Sequence, residues 1–194
     1  MSEPSIRLSP TSYLILGLIS YRGPSTPYQL KQAVSRSVGY FWPFPHTQLY
    51  EEPDRLARAG LLTEEREEQG RRRRTYAITE AGWAALKVWL HEPTTDVMQL
   101  RDLAVLKIFF SEFMSTEDLV AMAEEQVRLY EQRLAEYAVI DARYANRPEL
   151  GRRMASLDFG FRLARAAHAF WREIAADPPC CARDEVVLEE RVTR

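Results

Sequence analysis

Three segments of helical periodicity, a turn-bounded pair of short strands and a further helix fall within residues 1–92, and the remainder is nearly all helix. That order predicts a mainly α protein, with a winged helix-turn-helix N-terminal domain ahead of an all-helical C-terminal domain. Charge supplies a further observation. The 194 residues carry a formal net charge of -2 from 26 basic and 28 acidic side chains. A total near zero speaks against a nucleic-acid binder. The halves differ, however: residues 1–91 hold 12 Lys and Arg against 9 Asp and Glu, and residues 92–194 hold 14 against 19. The basic excess lies in the winged half.

Ser9-Pro10 reads as an N-cap with proline in the first turn, where its missing N–H goes unused. Leu14, Ile15, Leu18 and Ile19 recur at helical spacing, and Arg22-Gly23-Pro24 ends that helix. Thr26-Pro27 repeats the start signal, and Tyr28, Leu30, Val34 and Val38 carry a second amphipathic helix to about Val38. Gly39 breaks it, and Phe41-Trp42-Pro43-Phe44-Pro45 forms an aromatic, proline-bound connector. A third helix is expected from about Thr47 to Ala59, with Leu49, Leu56 and Leu61 inward and Gly60 as its stop. Pro53 removes an interior hydrogen bond and should bend or shorten that helix at about residues 49–53.

After Gly60 the period changes to that of strands. Leu62 to Glu68 is polar and reads as an exposed strand; Gly70 opens a turn, and Arg71-Arg72-Arg73-Arg74 leads into the returning Thr75-Tyr76-Ala77-Ile78. Thr79 caps a fourth helix, with Glu80 on its N-terminal dipole. In helix-turn-helix proteins the second helix of the pair enters the major groove. On the third helix Gln48, Tyr50 and Arg55 can donate hydrogen bonds to bases or phosphates. Four consecutive arginines at a hairpin tip suit phosphates or a narrow minor groove. Their plain alternative is a solvated turn balanced by Glu64, Glu65, Glu67 and Glu68. Tyr28 and Tyr50 likewise have a packing alternative, with ring buried and hydroxyl exposed.

Leu14-Ile15-Leu16-Gly17-Leu18-Ile19, Gly23-Pro24, Tyr28-Gln29-Leu30-Lys31, Gln48-Leu49-Tyr50, Arg55-Leu56, Gly60-Leu61-Leu62 and Arg74-Thr75-Tyr76-Ala77-Ile78-Thr79-Glu80-Ala81-Gly82 follow in an order that resembles the PadR family of bacterial transcriptional regulators. The resemblance is strong over residues 9 to about 90, and the helical remainder looks like the C-terminal domain of the longer subfamily. It implies a dimeric winged-helix repressor whose third helix and wing read a double-stranded DNA operator near its own gene. On that footing the DNA contacts fall to Tyr28, Lys31, His46, Thr47, Gln48, Tyr50 and Arg55, with Arg71, Arg72, Arg73 and Arg74 on the adjacent backbone. There are departures: Thr26-Pro27 stands where members often have His-Gly, and Tyr50-Glu51-Glu52-Pro53 replaces the usual Tyr-Pro. Glu51 and Glu52 would bring negative charge towards phosphates, although a carboxylate can also accept from cytosine.

From Met98 the expected helices break at Pro93, Thr116 and Pro148. Leu103, Leu106, Phe109, Phe110, Phe113 and Met114 make a broadly apolar helix that needs covering on more than one side. Thr116 is expected to cap the next helix, along which Val120, Ala123, Val127, Tyr130, Leu134 and Tyr137 form a short coiled-coil-like seam. The last helix repeats the pattern with Met154, Leu157, Phe161, Ala164, His168 and Trp171, while Phe159, Leu163, Phe170 and Ile174 form a second stripe. Two apolar faces need two partners, and a homodimer is the commonest solution. Its expected interface is Val120, Val127, Tyr130, Leu134 and Tyr137 with Leu157, Phe161, Ala164, His168 and Trp171. In the monomeric alternative both stripes pack internally. The expected division is a DNA-binding domain over 1–92, a dimerisation domain over 93–177 and a flexible tail over 178–194.

No apolar stretch approaches the ~20 residues of a membrane span. Met1 to Pro10 shows no secretory signal, so a cytoplasmic protein is expected. The adjacent Cys180 and Cys181 read as incidental thiols, and His46, His91 and His168 share no segment, so neither a metal nor a cofactor is expected. Without a glycine-rich phosphate loop, a nucleophile motif or HExxH, an enzyme is not expected. Trp42, Trp83, Trp89, Trp171 and the phenylalanines could line a pocket for a small aromatic effector, as in regulators of this kind, or simply form core. The expected function is sequence-specific transcriptional repression; the alternative is a winged-helix protein–protein adapter without DNA.

Overall fold

Ser9 and Ser12 cap the first helix reciprocally, the Ser9 amide donating to Ser12 Oγ and the Ser12 amide to Ser9 Oγ. In the computed structural model, which describes residues 6–42, 45, 47–67 and 73–179, this helix is α1, Pro10–Arg22. It stops at Gly23, whose φ of 82° is open to glycine and rarely to other residues. A second reciprocal cap, Thr26 with Gln29, opens α2, Pro27–Ser35. α2 ends before the expected Val38. Val38–Tyr40 form a separate 3-10 turn in which Gly39 lies so close to α2 that a Cβ would sit 2.8 Å from the Val34 carbonyl oxygen.

α3 runs from Gln48 to Arg58 and passes through Pro53 without ending, so of the expected bend or shortening the helix is not shortened there. Pro53 is fully buried between the inward Leu49 and Leu56, so packing of the ring offsets the missing hydrogen bond. The wing is an antiparallel pair, β1 (Leu62–Arg66) and β2 (Arg74–Ile78), with Leu62 opposite Ile78 and Arg66 opposite Arg74. Ser25 adds a one-residue third strand by exchanging two 2.9 Å backbone hydrogen bonds with Tyr76. Thr79 then caps α4, Glu80–His91, donating its hydroxyl to the Gly60 carbonyl and accepting from the Gly82 amide. A Cβ at Gly82 would fall 2.2 Å from the Leu61 carbonyl oxygen, so only glycine fits where α4 crosses the start of β1. Ile15, Leu16 and Ile19 of α1, Leu30 of α2, Leu49 and Leu56 of α3, Leu61 and Tyr76 close one core.

The chain divides into two compact units, Met1–Val97 and Met98–Arg194. In the second, Asp102 caps a short α5, Leu103–Phe109, which gives way to a 3-10 turn at Ser111–Phe113 instead of continuing as one apolar helix. Ser115, not Thr116, caps α6, Thr116–Tyr144; its hydroxyl accepts from the Asp118 amide. Pro148–Leu150 turns the chain into α7, Gly151–Ala176.

α6 and α7 pack along each other, and their contact corrects the expected dimer seam. Tyr137, Ala164 and Trp171 are buried within the single chain. Val127 and Tyr130 pack against the Ala104–Ala123–Trp171 cluster, and Tyr137 meets Phe161 edge to face at 5.5 Å. Val120, Leu134 and Leu157 are half-buried, and His168 Nε2 lies 3.4 Å from Glu131 Oε1. Tyr137, Ala164 and Trp171 of the expected seam are thus internal packing, and its other residues are covered in part by the same chain. Of the other stripe, Ile174 packs against the same internal cluster, and Phe159, Leu163 and Phe170 stay open, together with Leu103, Leu106, Phe109, Phe110 and Phe113. Among the described residues no helix is long and apolar enough to cross a membrane.

Candidate nucleic-acid interface

Burial of Leu49, Pro53 and Leu56 turns one side of α3 inward, so residues at the complementary helical positions face out. Thr47, Glu51 and Arg58 occupy that side and are exposed, with Tyr50 on its flank. Thr47 is already helical at φ -59° and ψ -38°, and its side chain makes no capping bond. Arg58 was not among the residues expected to reach DNA. The i, i+4, i+11 spacing of Thr47, Glu51 and Arg58, read against the apolar positions, is the signal that identifies it.

Arg55 and Glu52 take the opposite course. Glu52 accepts from Ser12 Oγ at 2.6 Å and from Arg55 Nε and NH2 at 2.8 and 2.6 Å. The Arg55 guanidinium also donates to Ser12 Oγ and the Arg7 carbonyl. Burial pushes the Glu52 carboxyl up, but the hydrogen bonds from Arg55 and Ser12 and the Arg55 charge outweigh it and hold it below the usual carboxylate range. Arg55, expected at the DNA, is therefore turned to α1, and Glu52 presents a paired charge rather than one opposed to phosphates. Gln48 is also tied to α1, its Oε1 accepting from Thr11 Oγ1 at 3.0 Å.

At the wing, Arg74 donates from NH1 to both Asp54 oxygens at 2.9 and 2.8 Å, and its Nε lies 3.4 Å from Glu64. The Tyr76 hydroxyl donates to Asp54 Oδ1 at 2.5 Å. That bond, and next the Arg74 contacts, keep the Asp54 carboxyl below its ordinary value despite some burial. Burial first, then the Asp54 bond, push the Tyr76 phenol up to about 12. Arg73 is exposed, and its carbonyl accepts from the Glu67 amide. Arg71, Arg72 and His46 lie outside the described residues, as do Pro43, Phe44, Glu68, Gly70, Cys180 and Cys181. On α2, Tyr28 is 62% exposed, with its hydroxyl 3.0 Å from Gln32 Nε2, and Lys31 is half-exposed. Of the tryptophans, Trp171 is core, Trp89 stacks on Tyr13 at 4.6 Å, and Trp42 and Trp83 are exposed.

The acid side of this arrangement is measurable. Glu52 and Asp54 titrate lower in the folded chain than in the unfolded one. Their stabilisation is thus complete above about pH 4.5 and is lost as pH falls through the folded values. Glu52→Gln with Asp54→Asn is expected to flatten the acid limb of the urea midpoint against pH. Tyr76 has the opposite sign: its contribution is complete below about pH 10 and is lost as pH rises towards about 12, a loss that Tyr76→Phe removes. An acid limb as steep in the double variant as in the parent contradicts the pairing.

Residues 15–88 match the model of the transcriptional regulator PadR-like family, and residues 100–177 that of the virulence activator alpha C-term. The negative transcriptional regulator PadR of Bacillus subtilis is 27% identical over 128 residues, 64% of this chain and 69% of the relative. The structure of Bacillus subtilis PadR in complex with operator DNA is similar at a TM-score of 0.78 and 20% identity, over 90% of this chain and 100% of the other. The same protein in complex with p-coumaric acid gives 0.69 at 20% identity, over 88% and 97%. The virulence activator AphA of Vibrio cholerae gives 0.64 at 27% identity, over 86% and 96%. The fold is thus the winged-helix fold of these regulators with its helical C-terminal extension, and the relatives are regulators of transcription rather than enzymes.

Proposed function

Because the chain belongs, through residues 15–88, to the PadR-like family of transcriptional regulators, we propose that it represses transcription by binding a two-fold operator as a homodimer. One observation carries the reading: the exposed outer side of α3 stands beside the wing, which keeps Arg73 exposed and whose connecting sequence adds Arg71 and Arg72. Thr47, Tyr50, Glu51 and Arg58 would meet base edges or adjacent phosphates, Tyr28 and Lys31 of α2 the flanking backbone, and Arg71, Arg72 and Arg73 the phosphates beneath the wing. The operator complex of Bacillus subtilis PadR, described as a negative regulator, supports this assignment.

The open apolar residues of the second unit support the dimer. A single soluble chain rarely leaves so many large side chains uncovered, and a second copy covers them symmetrically. Two heads on such a dimer can address half-sites ~34 Å apart. The p-coumaric acid complex of the relative supports a small aromatic ligand; such a ligand would release DNA by favouring another dimer geometry. A reporter behind the region upstream of the chain's own coding sequence tests both steps. It should be silenced by the chain and reopened by an aromatic acid. A reporter unaffected by the chain overturns repression; one silenced but never reopened overturns the effector.

A further inference from the structure

We infer that Asp54 is a positioning residue that sets the wing against the reading helix, and that Arg74, the last arginine of the run, is its strut rather than a phosphate contact. The inference rests on the DNA-binding reading above. Asp54 belongs to α3, yet every side chain that donates to its carboxylate in the hydrogen bonds above belongs to β2. Arg74 and Tyr76 are two residues apart on that strand, so they share the face turned towards α3.

The same face continues across the wing. Glu64 is the register partner of Tyr76, and Arg66 that of Arg74. Two arginines directly opposite one another would repel, but Glu64 lies 2.7 Å from Arg66 Nε and 3.4 Å from Arg74 Nε. Charges therefore alternate Arg66, Glu64, Arg74, Asp54 from the outer strand to the helix. An arginine with NH1 on both oxygens of one acid and Nε beside another has committed its geometry to them. A two-stranded hairpin is marginal by itself, and the backbone bridge to Ser25 holds only the Tyr76 level. Leu62 and Tyr76 pack in the core with Leu49 and Leu56 of α3, and Asp54 adds a polar tie from the helix at the Arg74 level. Exposed ion pairs add little to global stability, so the effect falls on where the wing points.

The test uses the full chain with Asp54→Ala, Asp54→Asn (which keeps an acceptor for the Tyr76 hydroxyl), Arg74→Ala and the Asp54→Ala/Arg74→Ala double variant. Two quantities are measured: upstream-duplex affinity across a salt series, and hydrogen exchange of the β1 and β2 amides in the free protein. Each single variant should weaken binding roughly tenfold, and the double variant no further, because both remove one tie. The salt slope should stay at the parent value, and wing exchange should quicken in the Asp54 variants. If Arg74→Ala instead lowers the slope by about 0.9 while Asp54→Ala leaves affinity intact, Arg74 is a phosphate contact and the inference fails. Should the parent chain show no preference for the upstream duplex, the DNA reading fails, and exchange decides alone: quickened exchange sustains the tie, unchanged exchange overturns it.

Discussion

Phe109→Asp combined with Phe110→Asp is expected to leave the chain monomeric and to weaken operator binding about 100-fold or more, the scale on which linked binding heads exceed single ones. The two rings are 79% and 52% exposed in the single chain, where they meet each other edge to face at 5.0 Å. Aspartate at these positions therefore removes little packing from the subunit itself. In a homodimer that covers them, it would place two carboxylates per subunit in an apolar contact, which is costly without partners. Sedimentation should give the monomer mass with unchanged helicity. Trp171→Ala marks the contrast, because Trp171 is 1% exposed inside the α6–α7 packing. Its loss should cost about 3–5 kcal/mol of folding stability and cannot be read as loss of an interface. A double Asp variant that stays dimeric, or binds the operator as well as the parent, contradicts the assignment.

Replacing Arg71, Arg72 and Arg73 together by alanine should lower operator affinity about 100-fold at moderate salt, from roughly 1 kcal/mol per exposed ion contact. The sharper signature is the salt dependence. Three phosphate contacts released at once should reduce the slope of log affinity against log salt by about 2.7. Arg74 is kept because Asp54 and Glu64 hold it. Loss should be similar for operator and random duplex, since backbone contacts carry little sequence information. A slope unchanged by the triple variant would return the run to a solvated turn and favour the adapter alternative.

What the sequence made legible was local chemistry. The caps at Ser9, Thr26 and Thr79 and the stop at Gly23 each depend on neighbours within a few residues, and all stand as read. The change from helical to alternating period after Gly60 likewise marks β1 and β2. Side-chain fate was not legible where the partner is distant in the chain. Arg74 is taken by Asp54, and Arg55, besides its pair with Glu52 one helical turn before it, is drawn to α1 by Ser12 and Arg7, none of the three a sequence neighbour. An arginine's spacing says that it can reach a phosphate, not that an acid reaches it first. Pro53 shows the same limit, because whether its ring is buried depends on α1 and the rest of the core. On α7 both apolar stripes were visible. Which of them faces inward is decided by where α6 lies, and that information is tertiary.

The direct measurement is equilibrium binding of the chain to a duplex from upstream of its own coding sequence and to a shuffled duplex of equal composition, at one salt concentration. Sequence-specific operator binding predicts at least ~10³-fold preference for the first, with two chains bound per duplex. Equal affinity for the two duplexes would contradict it.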